Sequence, residues 1–226
     1  MQGARWIAFG CLLTACSSTP PPPDWKLNAV SQIEHAQTQW LEGDSKSADL
    51  ALSKARAEIA RSGRVDLVAR AQLAVCATHV ASLDFSPCDG YQRVAVDAAA
   101  PEVAYSRFLA GDWAGLDARL LPAHYAALVG SKDDTAANRA VADITQPLPR
   151  LIAAGVLFRQ TRSQPATFAL AVDTASQQGW RRPLLAWLEV ERQRALAAGD
   201  QDAAARAARR IELARTPQPA TAAEPR

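Results

Sequence analysis

Four cysteines carry the most reactive side chains of this 226-residue chain: Cys11, Cys16, Cys76 and Cys88. The last two stand twelve residues apart. That spacing is far from the Cys-x-x-Cys of a redox pair, and the further ligands that a metal site needs are missing around them. A structural disulfide and a pair of inert buried thiols are the readings that compete. The three histidines, His35, His79 and His124, fall on separate predicted helices without metal-ligand spacing, so no metal centre and no cofactor is expected. The sequence has no Gly-x-Ser-x-Gly elbow, no phosphate-binding loop and no His-Glu-x-x-His. Glu189 and Glu191 are two residues apart and hence on different helix faces, while Asp133-Asp134 has the pattern of helix-start capping. Neither pair makes an acid/base site, and no catalytic residue is assigned: the chain is expected not to be an enzyme.

The thiol with the clearest setting is Cys16. Ahead of it, Arg5 and the amino terminus precede an apolar run from Trp6 to Leu13. A helix needs roughly 20 apolar residues to span a bilayer, so this run has the length of a signal peptide. Leu13-Thr14-Ala15-Cys16 resembles the lipobox of bacterial lipoproteins, with small residues before an obligatory cysteine. An ordinary secretory signal with an incidental cysteine is the alternative. The resemblance implies cleavage between Ala15 and Cys16, a thioether-linked diacylglycerol on Cys16 and an amide-linked acyl chain on the new amino terminus. Several acyl chains hold a protein stably on a membrane where one would not. In Gram-negative lipoproteins an aspartate after the cysteine favours inner-membrane retention. Ser17 occupies that position, so the resemblance implies an outer-membrane anchor with a periplasm-facing body. Residues 16–24, with prolines at 20 to 23, form an extended tether.

Export changes the reading of the other cysteines. Cys11 leaves with the signal and Cys16 is acylated, which leaves Cys76 and Cys88 in a compartment where disulfides persist. Val65, Ala69, Leu73, Cys76, Val80 and Leu83 fall at helical spacing and make one apolar stripe. Ser86-Pro87 ends that helix and Asp89-Gly90 signals a turn, so Cys88 lies on a loop that folds back over the stripe. A Cys76–Cys88 bridge is expected.

The rest of the chain must supply the body, residues 25–215. Alanine is abundant and aromatics make up 6% of the chain, a balance that favours helix over sheet. The fold class expected is all-α. Helices are predicted over 25–41, 45–61, 65–83, 91–99, 101–110, 133–144, 148–162, 165–178, 182–198 and 201–214, with a further one interrupted by Pro122. Residues 216–226, with three prolines, are expected to be a disordered tail. Removing residues 1–15 takes away one basic group, Arg5, and leaves 24 basic against 23 acidic residues. A balance so near neutral argues against nucleic-acid binding.

Three hinges repeat one pattern, an apolar residue and two spacers before Gly-Asp: Trp40 to Asp44, Phe108 to Asp112 and Leu196 to Asp200. Glycine ends one helix in the left-handed conformation and aspartate caps the next, which predicts antiparallel hairpins. Around the first hinge Ala36, Gly43, Ala48, Leu52 and Ala55 resemble the small and apolar positions of tetratricopeptide repeats. Gly43 and Gly111 are 68 residues apart, twice the period of that family; Gly111 and Gly199 are 88 apart, which is out of phase. The resemblance implies a right-handed stack of hairpins, and the broken phase an irregular α-bundle.

The candidate interaction surface lies in the last hairpin. Arg206, Arg209 and Arg210 share one helical side that suits anionic lipid, cell-wall polymer or an acidic partner, or that is simply a solvated face. Trp180 and Trp187, seven residues apart, either anchor a peptide in a groove or pack in the core. The function expected is that of a membrane-anchored scaffold or adaptor with an envelope protein partner. The alternatives are a lipoprotein that binds polymer or lipid through its arginines, and an enzyme of unknown type.

Overall fold

The computed structural model describes residues 21–215. The expected signal peptide, Cys16 with the first part of the expected tether, and the expected disordered tail from 216 lie outside the described residues. The described body is all-α.

Helix α1 (Asp24–Glu42) and helix α2 (Ser45–Ala60) form the first hairpin. Gly43 turns between them at φ 101°, where a side chain would be strained. Asp44 then accepts a hydrogen bond from the Ser47 backbone N–H at 3.0 Å and caps α2. Ala36, Ala48, Ala51 and Ala55 are fully buried between the helices, so their small side chains set the close approach. At the other end of the chain, helices α10 (Arg181–Ala197) and α11 (Gln201–Arg215) repeat this arrangement through Gly199 and Asp200.

Between the hairpins lie helix α3 (Val65–Ala81), helix α4 (Asp89–Gln92), helix α5 (Ala100–Ala110), helix α6 (Ala126–Val129), helix α7 (Asp134–Asp143), helix α8 (Pro147–Arg159) and helix α9 (Pro165–Gln177). Helices α3 and α8 are central. Every residue from Leu151 to Leu157 is buried, because α8 meets α3, α5, α7 and α9 on different sides. Where α8 crosses α3, a Cβ on Gly155 would overlap the Val80 carbonyl, so glycine is what allows the two backbones to approach. Trp187 of α10 inserts beside Phe158 and Phe168, and its indole N–H donates to the Ala81 carbonyl at 3.0 Å.

Two predicted helices are not formed. The segment 91–99 makes only the single turn α4 and a 3-10 turn at Ala95–Asp97. Tyr91 is buried but Val96 is 91% exposed, so the segment has no continuous apolar face for packing to stabilise. After Gly111 there is no return helix either. Asp112 accepts from Arg107 Nε at 2.8 Å rather than capping a helix, and Trp113 turns back to donate to the Phe108 carbonyl. The chain then crosses through 3-10 turns at Ala118–Leu120 and Ala123–Tyr125, with Pro122 between them. The second hinge therefore ends a helix without making a hairpin.

The first hairpin also touches the last. Arg182, at the start of α10, donates from Nε to the Trp40 carbonyl at 2.7 Å and from Nη2 to Ser45 Oγ at 2.8 Å. In a hairpin stack each unit meets only its neighbours. These contacts join residues some 140 positions apart, so the body is an irregular α-bundle rather than an open stack.

Candidate functional site

Cys76 and Cys88 are bridged, with their Cα atoms 6.0 Å apart. The bridge pins the segment after α3 to the helix. Leu83 ends α3 in the left-handed region at φ 58°, and its neighbour Asp84 returns its N–H to the His79 carbonyl. That turn sets Asp84 Oδ2 3.1 Å from His79 Nδ1. The imidazole ring stacks flat on Trp40 at 3.6 Å, and the Arg182 guanidinium covers the indole at 3.9 Å. Burial lowers the His79 pKa, although Asp84 opposes the shift. Burial alone would raise Asp84, but its bonds from Ser86 and its contact with His79 hold it below the usual carboxylate range. This layered cluster fastens α1, α3 and α10 together.

The predicted interaction residues separate. Trp187 is fully buried and belongs to the core, so it is not available as a groove anchor. Trp180 is half-buried at the start of α10 and packs against the same core. The two do not form a shared exposed pair. Arg206, Arg209 and Arg210, in contrast, are all exposed on α11, and none forms a salt bridge among the described residues. Three other arginines of this end are engaged. Arg192 pairs with Glu189 at 2.6 Å and holds that carboxyl at a pKa of about 2, and Arg215 meets Glu212 at 3.1 Å. Arg194 lies over the Phe168 ring. The surface that remains basic is therefore narrower than the arginine count suggests. The histidines do not converge: His35 is exposed on α1, His79 is in the layered cluster and His124 lies near Tyr125.

A cavity of about 440 Å³ is a feature that the sequence did not reveal. Leu73, from α3, and Ile152, from α8, form its floor, and Leu121 and Tyr125, from the irregular crossing, form its roof. Pro101, Pro122 and Pro149 line it as well. Of these, Pro122 was marked in the sequence only as the interruption of a helix, and Pro101 and Pro149 fell within predicted helices. Glu102, in the first turn of α5, stands in the wall with its side chain 5% exposed. Its Oε1 accepts from Arg70 Nε at 2.6 Å, while its Oε2 is buried with no hydrogen-bond partner. Tyr105 and Tyr125 interact through their hydroxyls. Burial pushes Tyr105 up to about 12 and raises Tyr125 well above the ordinary tyrosine value, so both stay neutral. Burial also lowers the His124 pKa and favours the neutral ring. The cavity is thus apolar and neutral apart from one ion pair.

No protein-family model, curated protein or solved structure matches this chain.

Proposed function

We propose that this chain is a lipid-anchored envelope protein whose helical body serves as a scaffold or adaptor for an envelope protein assembly, held at the periplasmic face of the outer membrane. The observation that carries this reading is the junction of tether and body. Pro21 to Pro23 are exposed, Pro23 is extended at φ −63° and ψ 147°, and α1 begins at the next residue. The folded body thus starts eight residues after the lipobox cysteine. A spacer of that length in polyproline geometry reaches about 25 Å, so the body stays near the membrane surface. The Cys76–Cys88 bridge is in keeping with an oxidising compartment. No helix among the described residues is long and apolar enough to cross a membrane, which leaves acylation as the attachment proposed.

Crosslinking in intact cells, with capture of the full-length protein from solubilised envelopes, tests this reading against a Cys16→Ser control. A defined protein recovered only with the anchored form supports the adaptor. Efficient capture with no specific protein refutes it. A second reading, binding of an anionic polymer or lipid headgroup through α11, is favoured by the three exposed arginines without ion pairs. Charge reversal at Arg206, Arg209 and Arg210 together abolishes such binding if it is real.

A further inference from the structure

We propose that the cavity between α3, α5 and α8 binds a neutral, mainly apolar small molecule that carries a single hydroxyl or N–H donor, with Glu102 as the acceptor. The volume of about 440 Å³ falls in the range of small-molecule sites, about 300–1,000 Å³. The floor and roof supply apolar contact through Leu73, Ile152, Leu121 and Tyr125.

Glu102 decides the polar part of the ligand. A carboxylate oxygen buried without a partner is costly to maintain in an apolar wall, and native interiors rarely leave one so. Glu102 Oε2 is such an oxygen, closed over by its neighbours, so a ligand in the cavity engages it once the carboxyl group turns toward the space that Glu102 lines. Only a donor can satisfy it, which excludes a ligand that presents a carboxylate, a phosphate or an ether there. Arg70 decides the charge. Its guanidinium already balances Glu102 through the 2.6 Å contact and remains 64% exposed at the rim. An ammonium ligand would bring an uncompensated positive charge into an apolar space beside that arginine, whereas a neutral O–H or N–H completes the carboxylate without adding charge. The hydroxyls of Tyr105 and Tyr125 bond to each other, and Glu102 is the one carboxylate acceptor among the lining residues. This inference is independent of membrane anchoring.

The test uses N-phenyl-1-naphthylamine, a neutral fluorescent amine with one N–H, and its N-methyl derivative, which has no donor. Both are titrated into the full-length chain carrying Cys16→Ser, so that no acyl chains compete for the dye. The N–H dye is expected to bind saturably with one-to-one stoichiometry and at least about tenfold more tightly than the N-methyl dye, the preference that a hydrogen bond to a charged acceptor supplies. Glu102→Leu removes that preference and leaves Arg70 solvated. Ala74→Trp, from a half-buried wall position on α3, blocks both dyes. Circular dichroism and thermal melting establish that each variant is folded. Should Glu102→Leu fail to fold, the near-isosteric Glu102→Gln serves in its place and reduces the preference. Equal affinity of the two dyes for the parent chain, a preference that survives loss of the carboxylate, binding untouched by Ala74→Trp, or no saturable binding overturns the proposal.

Discussion

Removal of the Cys76–Cys88 bridge is expected to cost about 3 kcal/mol, and the structure indicates where that energy resides. The bridge joins residues separated by 12 positions, and closing a loop of that size in the unfolded chain costs, in the chain-entropy account, about 3 kcal/mol at 25 °C. The folded state has little reason to change. Tyr91 is buried, Asp84 is held by His79 and Ser86, and Arg159 lies over the Phe85 ring at 5.3 Å, so the segment keeps its place without the sulfur link. The loss therefore acts through the unfolded ensemble. For a body of this size, about 3 kcal/mol corresponds to a fall in Tm of roughly 6–12 °C. The experiment compares the parent chain with the double variant Cys76→Ala, Cys88→Ala by thermal and urea unfolding, with near-ultraviolet circular dichroism as the measure of native packing. Lower stability with unchanged near-ultraviolet signal is the expected pair of results. A loss below about 1 kcal/mol would show that loop closure is not what the bridge contributes. A collapsed near-ultraviolet signal would show that the folded segment depends on it.

Other perturbations follow from single contacts. Gly155→Ala gains about 1 kcal/mol of helix propensity but drives a methyl group into the Val80 carbonyl. Overpacking against backbone costs about 3 kcal/mol, so a net loss of about 2 kcal/mol is expected in urea denaturation, and a gain in stability contradicts the α3–α8 crossing. Thr161, exposed and β-branched, ends α8 at φ 58°. Thr161→Gly is expected to raise stability by about 0.5–1 kcal/mol, since relief of the left-handed backbone exceeds the added chain entropy; an unchanged or lower Tm counts against it. Because the folded chain holds the His79 pKa below its ordinary value, the unfolded chain binds more protons as pH falls below about 6.5. Stability contributed by the neutral ring is present above that pH and declines below it, by at most about 1.4 kcal/mol per pH unit. Melting between pH 7.5 and 5.5 should show the decline, and His79→Phe should make it shallower while leaving the share of His124, whose pKa burial also lowers; an equal slope in the variant removes His79 as a cause.

The parts of this fold that were legible in the sequence are those decided by neighbours along the chain. Gly43-Asp44 and Gly199-Asp200 make hairpins because a left-handed glycine and a capping aspartate complete their geometry within a few residues. Cys76 and Cys88 could be paired on similar grounds, since Pro87 forces the chain to return beside the stripe that carries Cys76. Gly111-Asp112 has the same local signal and fails, because Arg107 takes the aspartate and Trp113 stacks on Phe108 at 5.7 Å. The position of Trp187 depends on the Ala81 carbonyl, 106 residues away, and no periodicity encodes such a partner. The cavity was equally hidden. Its walls come from α3, α5, α8 and the crossing between α5 and α7, and Glu102 looked like an ordinary acidic residue in the first turn of a helix.

The failed hairpin and the cavity have one origin. A return helix after Gly111 would have laid an apolar face along α5 and filled the space over α3 and α8. The chain instead crosses in short turns, and Leu121 and Tyr125 roof the space without filling it. At about 24 cal/mol per Å³, a sealed void of 440 Å³ would cost on the order of 10 kcal/mol, as much as the whole stability of a typical domain. Such a void is tolerable only with access to solvent, and the exposed Pro101, Leu120 and Pro122 at its edge provide that access. Water that enters meets apolar walls and can be displaced by an apolar ligand at a gain. The departure from repeat geometry thus leaves this bundle a cavity where a regular hairpin would have left only core.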